Sequence, residues 1–158
     1  QGYLSATPLQ LAYYASVLAN MGKQKKLTFI KKGNSNNEMD LPVKNISNLD
    51  WKRLHSSMIG VIESPIGTAK RLQELKNFKV AAKSGTVELV STQTKEDYEI
   101  IRQNEGNRDH AIIIAFGPMP NPKYAVSVVI ENGESGGSVA GPVAIAVLNS
   151  LVKEWKKN

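Results

Sequence analysis

Lys83-Ser84-Gly85-Thr86 is the stretch whose residue types and spacing best suit chemistry. It follows the apolar Val80-Ala81-Ala82 inside Phe78 to Val90, a segment that reads as a strand. Side chains alternate across a strand, so Ser84, Thr86 and Glu88 share one face while Lys83, Gly85 and Val87 share the other. Two hydroxyls two residues apart can together hold a carboxylate, and Lys83 places a positive charge beside them. Charge-assisted hydrogen bonds of this kind contribute about 1.5–3 kcal/mol each. Gly85 has no side chain, so a ligand backbone can approach and pair with the strand. An edge strand of this composition suits an extended peptide that ends in a carboxylate. Four residues alone are a weak signal; two further strands and a helix behind them strengthen it.

Other residues compete less well. His55 reads as a solvated histidine on a helix, off its apolar stripe, and His110 as a hydrogen-bonded structural histidine heading a strand. Two distant histidines without paired carboxylates make no metal site, and no cofactor is expected. Ser150-Leu151-Val152-Lys153 has the Ser-x-x-Lys spacing of an activated serine, but it sits late on an amphipathic helix among core positions. Ser35-Asn36-Asn37 falls in a Lys/Asn-rich excursion. Both read as coincidences. Gly133 to Gly141 lacks the lysine and spacing of a phosphate loop and reads as a mobile turn.

The elements that must position the strand are legible in part. Thr7-Pro8-Leu9-Gln10 forms a capping box with proline at the first helical position. Leu11, Ala15 and Leu18 follow at helical spacing, and Gly22 is a stop. Residues 23–47 read as an irregular surface excursion or a hairpin. A second helix begins near Asn48 or Asp50 with an apolar stripe of Trp51, Leu54, Met58, Val61 and Ile62, and ends at Ser64-Pro65. Residues 91–109 are charged and polar and read as a mobile loop with one helical turn at most. Ala111 to Phe116, apolar on both faces, suits a central strand, and Tyr124 to Ile130 its antiparallel neighbour. A last helix opens at Pro142 with Ala144, Val147, Leu148, Leu151 and Trp155 on one face. This order predicts an α+β fold, an antiparallel sheet with helices packed on it.

Composition agrees with one compact domain or a large piece of a bigger one: 158 residues, 41% apolar. Cysteine is absent, so disulfides and thiolate metal sites are excluded. The longest uninterrupted apolar run, Ala111 to Phe116, is too short to span a bilayer. The net charge of +6 gathers partly in Lys23, Lys25, Lys26, Lys31 and Lys32. Without a stacking platform beside them, these lysines read as a solvated surface, not a nucleic-acid site.

Lys83-Ser84-Gly85 resembles the third of three ordered motifs, Ser-x-x-Lys, Ser-x-Asn and Lys-Thr/Ser-Gly, of the penicillin-binding proteins and serine β-lactamases. The opening Gln1 to Ala12, Gly67-Thr68-Ala69, Asp109-His110-Ala111, Asn121 to Val126, Glu131-Asn132-Gly133 and Gly141-Pro142 are similar to segments of the class B penicillin-binding proteins, and the ending to their elongation-type members. The resemblance omits only 23–47 and 91–108. It implies that residues 1–158 are the C-terminal part of one transpeptidase domain, with 23–47 and 91–109 as variable surface excursions. It further implies a D,D-transpeptidase that cross-links peptidoglycan stem peptides ending in D-Ala-D-Ala through an acyl-serine, and that β-lactams acylate. In that scheme Lys83 supports the proton network and the substrate carboxylate. Ser84 and Thr86 bind the carboxylate, Gly85 admits the ligand backbone, and the Thr86 N–H forms half of the oxyanion hole. Glu88 stands where the family more often has Gln, and its charge opposes anionic ligands.

The resemblance implies that the nucleophile, its lysine and the second motif lie upstream, in residues outside this chain or in a companion piece of a cleaved protein, and that this chain alone is inert. The resemblance also implies a periplasmic setting with a membrane anchor upstream, and a glycosyltransferase and elongation-complex scaffold proteins as partners. Two rival readings are a β-lactam sensor or β-lactamase, and a non-enzymatic interaction module of the same fold.

Overall fold

A computed structural model describes residues 5–29, 43, 45–91 and 94–157. Helix α1, Pro8–Ala19, begins as its capping box predicts. The Thr7 hydroxyl accepts from the Gln10 N–H at 3.2 Å, and the Gln10 side chain accepts from the Thr7 N–H at 2.8 Å. It closes with Gly22 N–H on the Val17 carbonyl and Met21 N–H on that of Leu18, the crossed pair that lets a chain leave a helix through left-handed residues. Helix α2, Asn48–Glu63, is capped by Ser47.

Three antiparallel strands follow: β1 (Ala81–Val87), β2 (His110–Gly117) and β3 (Tyr124–Ile130), in spatial order β1-β2-β3. β1 is shorter than its apolar sequence suggests, because only those seven residues find partners, from Ala81 opposite Phe116 to Val87 opposite His110. β2 is the central strand and its interior is buried on both faces, as its unbroken apolar run requires. A short helix α3, Lys95–Ile101, lies between β1 and β2. After β3, a single π-helical turn, Gly136–Ala140, leads into helix α4, Gly141–Trp155.

The sheet separates two cores. On one face Ala15, Leu18, Trp51 and Met58 of α1 and α2 cover Ala81, Ile114 and Phe116. On the other, Ala140, Ala144, Ile145 and Leu148 cover Ala82, Ala111, Ile113 and Ala115, with Ile62 and Leu72 closing the side.

Three expectations are corrected. His55 is not solvated: it is 6% exposed, stacks at a tilt on Phe116, and its Nε2 lies 2.8 Å from the Leu18 carbonyl, tying α2 to α1. It belongs to the buried stripe Trp51, His55, Met58 and Ile62. The buried face of α4 is Gly141, Ala144, Ile145, Leu148 and Val152, and Val147 and Trp155 are exposed instead. This helix is apolar nearly all round, so periodicity alone cannot choose its inner face. Together with the preceding turn it makes a 20-residue apolar helical run, Gly136–Trp155, long enough to cross a bilayer, although its inner residues here pack on the sheet. Finally, Gly133 to Gly141 is not an open turn, since Gly136 and Gly137 are buried.

A Cβ on Gly136 would sit 2.1 Å from the Ile112 carbonyl oxygen and 2.5 Å from that of Gly85. Gly60, inside α2, has nothing within 4 Å of its Cβ position. We predict opposite signs for the same substitution. Gly136→Ala destabilises the complete protein by about 1–3 kcal/mol through overpacking, whereas Gly60→Ala stabilises it by about 0.5–1 kcal/mol. Urea unfolding of both variants measures this.

Candidate functional site

The Lys83-Ser84-Gly85-Thr86 segment occupies the edge strand, as its composition suggests. Ser84 and Thr86 point to the face shared with α4, opposite Ile113 and Ala111. Lys83 and Gly85 are exposed on the other face. The Lys83 ammonium donates to the Ser84 carbonyl at 2.6 Å.

Both hydroxyls already have protein partners. Ser84 Oγ lies 2.8 Å from Thr68 Oγ1, either atom serving as donor. Thr86 Oγ1 donates to the Glu134 carbonyl at 3.2 Å, longer than the usual 2.7–2.8 Å of a hydroxyl bond. Three distant segments therefore meet here: Gly67-Thr68, the edge strand, and Glu134 to Gly137. Glycines permit the meeting. A Cβ on Gly137 would lie 2.4 Å from the Thr68 carbonyl oxygen, and one on Gly67 would lie 2.3 Å from the Val61 carbonyl oxygen.

Glu88 lies just past the end of β1. It lines an open cleft of about 360 Å³ with Val90, Lys95, Tyr98 and Asp109. Residues 94–109 are not the loose loop that their polarity suggests. Tyr98 donates to Asp109 Oδ2 at 2.6 Å, and Asp109 is buried, its other oxygen 3.4 Å from the Leu89 N–H. Arg102 pairs with Glu134 at 2.6 Å and lies over the Tyr98 ring. His110 accepts from the Asn132 N–H at 3.0 Å, the structural role expected of it.

Sequence reasoning missed Thr68 and Glu134 as partners of the strand, and Tyr98, Asp109 and Arg102 as a connected group. The one available signal was glycine density at Gly67 and at Gly136-Gly137, which marks close backbone approach. Ser150 and Lys153 are exposed on the last turns of α4, lining a cleft with Asn77 and Phe78 away from the Lys83–Thr86 segment. Ser35-Asn36-Asn37 lies outside the described residues, as do Lys31 and Lys32. Among the described residues no cluster of three His, Asp or Glu could hold a metal ion.

The arrangement offers an anion two hydroxyls from one side of an edge strand and a cation from its neighbour. It contains no nucleophile poised beside a base. On its own it can bind and orient a carboxylate.

Residues 1–149 match the family model described as the penicillin binding protein transpeptidase domain. The chain is 32% identical over 146 residues to the peptidoglycan D,D-transpeptidase MrdA of Escherichia coli K12, covering 88% of this chain and 23% of that protein. It is 31% identical to MrdA of Haemophilus influenzae, covering 98% and 25%. Among solved structures, it resembles Pseudomonas aeruginosa PBP2 in complex with WCK 5153, with 33% identity and a TM-score of 0.74 over 96% of this chain and 30% of that one. It also resembles Helicobacter pylori PBP2 in a complex with MreC, with 26% identity and a TM-score of 0.74 over 97% and 26%. The chain thus spans about a quarter of the length of the curated relatives it matches.

The hydrogen bond to Asp109, then desolvation and the Asp109 charge, push the Tyr98 phenol up from 10.0 to about 12. A value raised on folding means that the folded chain holds this proton more tightly. The stability it contributes is complete below pH 10.0 and is lost as pH rises through about 12. The phenolate absorbance difference between the parent and Tyr98→Phe should titrate with a midpoint near 12; a midpoint near 10 refutes the assignment.

Proposed function

Because the chain belongs to the penicillin-binding protein transpeptidase family, we propose that its Lys83–Thr86 strand is the substrate-binding edge of a peptidoglycan D,D-transpeptidase active in cell-wall elongation. The observation that carries this reading is the pair of hydroxyls, Ser84 and Thr86, on one face of an edge strand beside Lys83. The stem peptide enters as an added strand along Gly85, and its terminal carboxylate takes the two hydroxyls. Lys83 lowers the cost of bringing that negative charge to the strand. The Thr86 N–H faces the oxygen of the attacked carbonyl, one half of an oxyanion hole; loss of such a donor costs about 10²–10³ in rate.

The serine that attacks the D-Ala-D-Ala bond comes from elsewhere in the complete protein, and this chain contributes no covalent step. An acyl-serine forms as the terminal D-alanine leaves, and an amine of a second stem peptide then resolves it. β-Lactams carry a carboxylate in the corresponding place and acylate the same serine. The relatives' names support a bacterial cell-wall enzyme, for which a periplasmic domain on an upstream membrane anchor is the fitting arrangement. A scaffold protein of the MreC kind is a fitting partner, given the Helicobacter pylori complex.

Fluorescent penicillin tests this directly. The complete protein is expected to label, and this chain alone to stay unlabelled. Thr86→Val should lower the acylation rate constant about tenfold to a hundredfold, the equivalent of one hydrogen bond to a charged group. Failure of the complete protein to label would favour a non-enzymatic interaction module, and fast loss of the label would favour a β-lactamase.

Glu88 places a carboxylate just beyond the clamp. Glu88→Gln should therefore speed acylation by a doubly anionic β-lactam more than by a singly anionic one. Equal rates in stopped-flow acylation would remove the electrostatic role.

A further inference from the structure

The segment between β1 and β2 is joined to the candidate site by a closed ring of contacts. Tyr98 donates its phenol proton to Asp109 Oδ2 at 2.6 Å. The Asp109 carbonyl accepts the Glu134 N–H at 2.8 Å. The Glu134 carboxylate meets Arg102 Nη2 at 2.6 Å, and the Arg102 guanidinium lies 5.5 Å from the centre of the Tyr98 ring, which closes the circle. The Glu134 carbonyl is the outlet, because it accepts the Thr86 hydroxyl at 3.2 Å.

Glu134 needs this support. Its φ of 61° lies in the left-handed region, which strains a residue with a Cβ. A backbone N–H held by Asp109 and a side chain held by Arg102 offset that strain from both ends. With residue 134 pinned, its carbonyl lies in one place and the Thr86 hydroxyl is turned toward it. Thr86 is β-branched and has few χ1 wells, so this single contact selects its rotamer.

We propose that Arg102 is a positioning residue for carboxylate recognition, acting through Glu134 to hold the Thr86 hydroxyl in the rotamer that receives the ligand. The long bond to the Glu134 carbonyl is a neutral one, and an arriving carboxylate replaces it with a shorter, charge-assisted bond to the same oxygen. The proton of Thr86 then passes from one acceptor to the other by rotation of the hydroxyl, with no side-chain rearrangement. Arg102 touches no ligand in this scheme. The proposal rests on the reading of Ser84 and Thr86 as the carboxylate clamp.

The test compares a β-lactam with its own methyl ester, which lacks the anion, on the complete protein. For Arg102→Met the acylation rate constant for the acid should fall about 3- to 30-fold, while that for the ester stays unchanged. Adding Glu134→Gly should restore the acid rate, since glycine adopts a left-handed φ without an ionic partner. Equal losses on acid and ester, or no loss on the acid, overturn the positioning role, and so does a double variant that is no better than Arg102→Met. Thr86→Val separates this failure from failure of the underlying reading. If Thr86→Val collapses the acid-to-ester ratio and Arg102→Met does not, the clamp stands and the positioning role falls. If neither changes the ratio, the clamp itself is wrong.

Discussion

Between Gly136 and the strand beneath it there is no room for a side chain. Its absent Cβ would overlap the carbonyl oxygens of Ile112 and Gly85, on β2 and β1 respectively. This backbone-to-backbone contact sets the height of the 134–140 segment above the sheet. That height in turn decides whether the Glu134 carbonyl reaches Thr86 and whether Gly137 can settle on the Thr68 backbone. Side chains that slide past one another could not hold such distances, because rotamer changes move atoms by ångströms. Two peptide units in contact have no rotamers to change.

The hydrogen bonds at the strand follow from this placement. Ser84 and Thr86 are satisfied by protein partners, so their hydroxyls carry little desolvation penalty. Neutral partners of this kind yield readily to a carboxylate, since the exchange replaces a neutral bond by a charged one. Under the proposed reading, recognition needs only a turn of these hydroxyls, on a strand whose Ala82 packs on the same face with Ile113 and Ala144.

Local chemistry was the legible part of the sequence. The capping box at Thr7, the bounds of β3, the central position of β2 and the α+β order all rest on patterns within a dozen residues. What escaped depends on partners far along the chain. β1 is trimmed to Ala81–Val87 by the length of β2, and the inner face of α4 is chosen by the sheet. His55 was misplaced because a polar ring was counted as surface, although its spacing from Trp51 and Met58 put it on the buried stripe and the Leu18 carbonyl gave it a partner. The ring from Tyr98 to Glu134 joins residues whose polarity, taken alone, reads as a solvated loop. Along the strand, the shared face of Ser84 and Thr86 and the opposite face of Lys83 were legible; Thr68 and Glu134 were not, because a threonine and a left-handed glutamate carry no local mark of their partners.

The meeting of Thr68, Ser84 and Glu134 also bears on how the chain reaches its native state. These residues are far apart in sequence, and contacts of that span form late, after the loops between them have closed. The oriented hydroxyls need the 134–140 segment in place, because the Glu134 carbonyl is the partner of Thr86. A ligand of the proposed kind would therefore recognise the folded chain alone. By mass action, each such ligand draws the folding equilibrium toward completion.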